Sequence, residues 1–166
     1  MPEQDWSKFS MRIIIHAKMD DIYNAWTSQN GLEHWFLRKA EFTTHDGKSR
    51  DPHSHIQKGD NYLWMWHGYS DEVFEKGEVV EANGRDKVQF IFGKAGVVTV
   101  TLSQHGVYTK LELIQDNIPT DEKSKFNYYI GCSTGWTFHL ANFKNIMEGG
   151  HDLRNKDINI TRVLNS

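Results

Sequence analysis

The sequence predicts an α+β protein: a curved antiparallel sheet wrapped around one long C-terminal helix, with two short helices after strand 1. Three observations carry that prediction. The stretch Lys123–Glu148, KSKFNYYIGCSTGWTFHLANFKNIME, places Phe126, Tyr129, Trp136, Leu140, Phe143 and Met147 at steps of three and four with one gap, the spacing of a helical face. Ahead of it run five or six segments rich in β-branched and aromatic residues, punctuated by turn residues. An antiparallel meander of that kind has one face to cover, and a single long helix can cover it.

Phe9–His16, FSMRIIIH, reads as the first strand, and Ala17–Asp20 as a turn with Asp20 as a helix N-cap. Asp21–Thr27 then puts Ile22, Tyr23 and Trp26 on one helical face, and Asn30–Trp35 forms a second short helix ending at Trp35-Phe36. This V-shaped insert must bury Tyr23, Trp26, Leu32, Trp35 and Phe36 against the sheet and the long helix. Lys39–His45 is an edge strand, and His45–Gly59 is a polar, turn-rich loop. In Asn61–His67, NYLWMWH, the side chains of Tyr62, Trp64 and Trp66 point one way and those of Leu63, Met65 and His67 the other. Val73–Ala82 is a strand punctuated by Gly77; Asn83-Gly84 is a hairpin turn; Asp86–Phe92 follows with Val88, Phe90 and Phe92 on one face. Val97–Leu102 and Val107–Gln115 complete the meander around a turn at His105-Gly106. Pro119, Thr120, Asp121 and Glu122 start the long helix, and Gly149-Gly150 end it. The remaining tail, residues 151–166, is polar and is expected on the surface of a single domain, 1–166, whose core spans about 9–150.

The long helix is unusual in its middle. Gly131-Cys132-Ser133-Thr134-Gly135 are all small, and a mid-helix glycine costs about 1 kcal/mol against alanine. A close helix–sheet contact, a kink or a short helix broken near Gly131 accounts for such a segment, and so does an enclosed pocket beneath it; the pattern leans slightly to the pocket. Aromatic residues are the compositional outlier at 13% with six Trp, and several sit close enough in sequence to act together.

Bulk properties exclude several classes. A net charge of −3 with acids and bases interspersed offers no basic footprint for nucleic acid. No apolar run is long enough for membrane insertion, and the polar start MPEQDWSKFS lacks a signal core, so a cytoplasmic location is expected. Cys132 is the one cysteine, which leaves no internal disulfide and no thiolate metal cluster.

Two groups of residues invite chemistry. His53 and His55, two apart in an extended segment, would share one side as metal ligands, but no third ligand has a defined offset, so no metal is expected there. The set Trp35, Phe36, Trp64, Trp66, Phe90 and Trp136 reads as core residue by residue, and as the wall of an apolar ligand cavity when taken opposite the thin helix segment. Tyr62, Tyr129, Ser133, Thr134 and His139 would supply its polar handles. Ser133 is in step with Tyr129, Trp136 and Leu140 on the inward face; His139 can serve as acid or base, or simply be a satisfied histidine. Cys132 shows no activating base and reads as a small buried filler.

Four stretches in this order resemble the helix-grip superfamily of START and birch-pollen-allergen-like proteins (SRPBCC): DIYNAWTSQNGLEHWF, GDNYLWMW, KGEVVEA and GCSTGWTFHLANFKNIMEGG. Within it the closest similarity is to the family of the C-terminal domain of the heat shock protein 90 ATPase activator, over about Met11 to Gly150. The resemblance implies a helix-grip fold with a cavity between sheet and long helix. It does not fix a function, since such proteins bind lipids, act as cyclases or dehydratases, or assist a chaperone. The eukaryotic activator carries a further N-terminal domain for which this chain has no room, and no catalytic acid–base set matches residue by residue. The expectation is therefore a small hydrophobic or amphipathic ligand held by Trp35, Phe36, Tyr62, Trp64, Trp66, Phe90, Tyr129, Ser133, Trp136 and His139, with no cofactor, in a monomer or homodimer. A cyclase- or dehydratase-like enzyme and a chaperone-activating interaction protein are the alternatives.

Overall fold

The computed structural model describes residues 2–164. Seven antiparallel strands form one sheet in the order β1-β7-β6-β5-β4-β3-β2: β1 Phe9–Ile15, β2 Lys39–Thr43, β3 Asn61–Met65, β4 Glu75–Ala82, β5 Lys87–Ile91, β6 Val97–His105 and β7 Tyr108–Asp116. Strands β2 to β7 are a meander, and β1 crosses to pair with β7, Phe9 opposite Gln115 and Ile15 opposite Thr109. The inward residues follow the period of two: Tyr62 and Trp64 on β3, Val88 and Phe90 on β5, Val98, Val100 and Leu102 on β6, Leu111 and Leu113 on β7 are all buried.

Helices α1 (Met19–Trp26) and α2 (Gln29–Trp35) form the V-shaped insert, and Tyr23, Trp26, Leu32, Trp35 and Phe36 are all buried as the sequence requires. The cap differs. Lys18, without a side-chain hydrogen bond, precedes α1, and Asp20 and Asp21 lie inside the first turn, where their charge still suits the helix start. Ser28 caps α2 by accepting from the Gly31 amide at 3.0 Å. Gly77 on β4 is demanded by a close approach: a Cβ there would lie 2.3 Å from the Ile91 carbonyl oxygen and 2.4 Å from the Tyr62 hydroxyl, which itself donates to Ile91 at 2.7 Å.

The loop after β2 is less free than its composition suggests. Ile56 is buried, its amide donates to the Thr27 carbonyl at 2.7 Å, and Arg50 forks onto the buried Asp60 carboxylate at 2.5 and 2.9 Å. His53 meets Asn30 and His55 meets Asn24, so the two rings have separate partners. Among the described residues no group of three or more His, Cys, Asp or Glu is placed to hold a metal ion, and no helix is long and apolar enough to cross a membrane.

The C-terminal helix comes in three pieces: α3 (Glu122–Ser124), a π-helical segment (Lys125–Ile130) and α4 (Gly131–Met147). Asp121 caps it, accepting from the Ser124 amide at 3.1 Å and its hydroxyl at 2.6 Å. In the π segment the bonds run i→i−5, as from Gly131 to the Phe126 carbonyl, so each turn holds an extra residue and the side-chain phase slips. That slip corrects one expectation: Phe126 leaves the inward face and is 69% exposed.

The polar tail also departs from expectation. Leu153 and Ile158 are exposed, but Arg154 is buried at the end of α2, donating to the carbonyls of Glu33, His34 and Leu37 at 3.1, 2.9 and 3.1 Å while pairing with Asp152 at 2.7 Å. Asn142 of α4 joins the same network, donating to Trp35 O at 3.0 Å and Asp152 at 3.1 Å and accepting from the Leu153 amide at 2.8 Å. Helix C-termini leave carbonyls without partners, and a guanidinium with several donors satisfies three at once.

Candidate functional site

From Trp136 onward α4 sits on the sheet: Trp136 and Leu140 are each 3% exposed and Phe143 is fully buried. Trp136 is held by its indole N–H, which donates to Gln115 on β7 at 2.9 Å; Gln115 in turn donates to the Ala95 carbonyl at 2.8 Å. One turn earlier the contact opens. Gly131, Gly135 and His139 recur every four residues and form one stripe, with Cys132 and Trp136 beside it. A Cβ built on Gly135 would meet nothing within 4 Å. The space under that stripe is a cleft of about 170 Å³, lined by Phe36 from the end of α2, Trp66 and Phe92 from just beyond β3 and β5, and Asn127, Gly131, Cys132, Gly135, Trp136 and His139 from the long helix.

Four of those side chains make a continuous aromatic circuit. Phe36 lies 6.0 Å from Trp66 and 5.0 Å from Trp136, while Phe92 lies 6.3 Å from Trp66 and 5.8 Å from Trp136, all between ring centroids. These are ordinary aromatic contacts, edge-on or tilted. His139 stands edge-on to Phe36 at 4.9 Å. It is 4% exposed and its Nδ1 is buried with no hydrogen-bond partner. Burial lowers its pKa to about 4; the positive charge of Arg154 adds to that and Asp152 opposes it, so the ring is neutral at neutral pH. Burial raises the Cys132 thiol above its ordinary value, against a Gln115 hydrogen bond that lowers it, with the Glu75 charge raising it further. No residue of the wall therefore carries a charge at neutral pH.

Of the residues named from sequence, Phe36, Trp66, Trp136 and His139 line this cleft. Trp35, Tyr62, Trp64 and Phe90 lie in the core beneath it at 1%, 3%, 2% and 3% exposure. Tyr129 turns toward the N-terminal segment, edge-on to Trp6 and Phe9, with its hydroxyl accepting from Gln4 at 2.8 Å. Ser133 donates back to the Ile130 carbonyl at 3.0 Å and is outside the wall. Phe92, Asn127, Gly131, Cys132 and Gly135 complete the wall. The four-residue spacing of Gly131, Gly135 and His139 was a readable signal, as was the alternation Val88, Phe90, Phe92. Asn127 had none, because the π segment sets its direction.

A curved antiparallel sheet, a helical V after strand 1 and a long C-terminal helix with a cleft beneath its thin part define a helix-grip protein of the SRPBCC type. The chain belongs to the family described as activator of Hsp90 ATPase homolog 1-like protein, whose profile matches residues 16–148. Among curated proteins no sequence match is found. Solved structures share the fold at low identity. The Aha1 dimer from Colwellia psychrerythraea is 16% identical with a TM-score of 0.64, over 86% of this chain and 97% of that one. An HSP90 activator from Plasmodium falciparum, PFC0360w, is 20% identical with a TM-score of 0.61, over 86% and 96%. CalU16 from Micromonospora echinospora is 18% identical with a TM-score of 0.63, over 88% and 77%.

Proposed function

We propose that this protein binds a small hydrophobic or amphipathic molecule in the cleft between the sheet and the thin half of the C-terminal helix. The observation that carries the reading is the open space at Gly135 facing a circuit of four aromatic rings. Apolar walls with a few polar groups are the common make-up of small-molecule sites. At about 170 Å³ the cleft is below the usual range of roughly 300–1,000 Å³, so the occupant is small or inserts only one end. Gly135→Leu tests the reading: it fills the cleft and removes a helical glycine. Thermal stability is expected to hold or rise, while binding of a one-ring apolar probe such as toluene, followed by tryptophan fluorescence, is lost. A Gly135→Leu protein that binds toluene as the parent does would remove the cleft from consideration.

A second reading, contact with a chaperone, is favoured by the family description and by two of the structural neighbours, an Aha1 dimer and an HSP90 activator. It would act through the surface rather than the cleft. We rank it second, and expect no stimulation of heat shock protein 90 ATPase in a coupled assay. Saturable stimulation of several-fold, retained by Gly135→Leu, would reverse the ranking.

A further inference from the structure

We infer that the cleft selects an uncharged, one-ring aromatic molecule bearing a hydroxyl group, seated among Phe36, Trp66, Phe92 and Trp136 with its hydroxyl paired to the His139 imidazole. The inference rests on the ligand-binding reading above and adds the chemical class. Size comes first. A volume of about 170 Å³ is close to the roughly 150 Å³ of an apolar cavity known to accept benzene, so one ring fits within the cleft and anything larger protrudes from its open side. Charge comes next. The wall consists of aromatic rings, two glycines, a protonated thiol, an amide and a neutral imidazole; an ion placed there would lose hydration and meet no opposite charge in the wall, and the ring faces would return only part of that loss to a cation and none to an anion.

The polar group is assigned by what is left unpaired. His139 is 4% exposed and forms part of the wall; its Nδ1 is closed to the cleft and has no partner, and Nε2 makes no hydrogen bond among the described residues either, so Nε2 is the nitrogen that a ligand in the cleft meets. Buried polar atoms are nearly always hydrogen-bonded; among the described side chains the Trp26 and Trp64 indole nitrogens and His139 Nδ1 are exceptions, and of the three only His139 belongs to the cleft wall, where its unpaired imidazole asks for a partner. A neutral imidazole has one donor and one acceptor nitrogen, and a hydroxyl both donates and accepts, so it pairs with either tautomer. A carbonyl would fit only one of the two. Aromatic alcohols and phenols meet all three conditions, since a phenol with a pKa of about 10 is uncharged at neutral pH.

The test uses the full chain and four probes titrated by NMR: p-cresol, toluene, benzoate and benzyltrimethylammonium. A hydrogen bond to a neutral group is worth about three- to tenfold in affinity, so p-cresol is expected to bind tighter than toluene by that factor, and both charged probes far more weakly. The imidazole nitrogen resonances of His139 should move with p-cresol and not with toluene. In His139→Leu the advantage of p-cresol should vanish while toluene binding persists. Equal affinity for p-cresol and toluene, or preference for a charged probe, overturns the inference and leaves the wider ligand-binding reading standing. If none of the four binds, the wider reading falls with it. Should His139→Leu not fold, the imidazole resonances of the parent protein decide.

Discussion

From Trp136 to Met147 the C-terminal helix is pressed into the molecule, while from Lys125 to Gly135 it packs more loosely, with Tyr128, Tyr129 and Cys132 touching the core and a cleft left open at Gly131 and Gly135. In the later half Trp136, Leu140 and Phe143 are at most 3% exposed and Asn142 ties the helix to α2 and the tail. In the earlier half a π-helical segment widens the helix, two glycines line the cleft, and Phe126 and Ile130 are 69% and 44% exposed. Each feature of that half lowers stability: π segments are uncommon, and a helical glycine costs about 1 kcal/mol. A helix anchored firmly at one end tolerates a loose other end. The difference shows how one element can serve both as core and as the lid of a cleft.

Breaking the packed half should have the largest effect. Trp136→Ala removes a buried indole together with its bond to Gln115, and is expected to lower stability by about 3–5 kcal/mol in denaturant unfolding. A midpoint that scarcely moves would mean that the two halves are not different in kind.

His139 lies at the junction of the halves, and acid should expose its position. Its folded pKa, about 4, is below its ordinary value of 6.5 because burial disfavours the charged ring. The stabilisation is therefore complete above pH 6.5 and is lost as pH falls from 6.5 through 4, at most roughly 3 kcal/mol. Asp152, which opposes the lowering of the ring, stays ionised through that window: burial pushes its carboxyl up, but hydrogen bonds to Arg154 and Lys156 hold it well below the usual carboxylate range. His67 shifts in the same direction through burial, so the comparison needs His139→Gln beside the parent. A parent whose stability falls no more steeply than that of His139→Gln between pH 6.5 and 4 would place the ring in solvent.

Arg154→Ala sharpens the comparison from the tail. Three carbonyls at the end of α2 and the Asp152 carboxylate lose their donor, a loss of about 2 kcal/mol in thermal or denaturant unfolding. Because the network meets α4 at Asn142, toluene binding under Gly131 and Gly135 should change less than stability does. A variant that keeps its stability but loses the cleft would show that the tail shapes the cleft rather than anchoring the packed half.

By itself the sequence determined what depends on local periodicity. The alternation in Asn61–Met65 and Lys87–Ile91 placed Tyr62, Trp64, Val88 and Phe90 inward, and the spacing in the helices buried Tyr23, Trp26, Trp136, Leu140 and Phe143. Side-chain direction along a regular strand or helix follows from its repeat, so these assignments need no knowledge of the partner. Tertiary structure decided everything set by partners far along the chain or by a break in the repeat. The pairing of β1 with β7, the burial of Arg154 by carbonyls on α2, and the division of the aromatic residues between core and cleft wall belong to the first kind. The π segment belongs to the second: by adding a residue to each turn it sent Phe126 outward and brought Asn127 to the cleft. A period of 3.6 carried across that segment points to the wrong face, because helical phase accumulates residue by residue and one widened turn shifts all that precedes it.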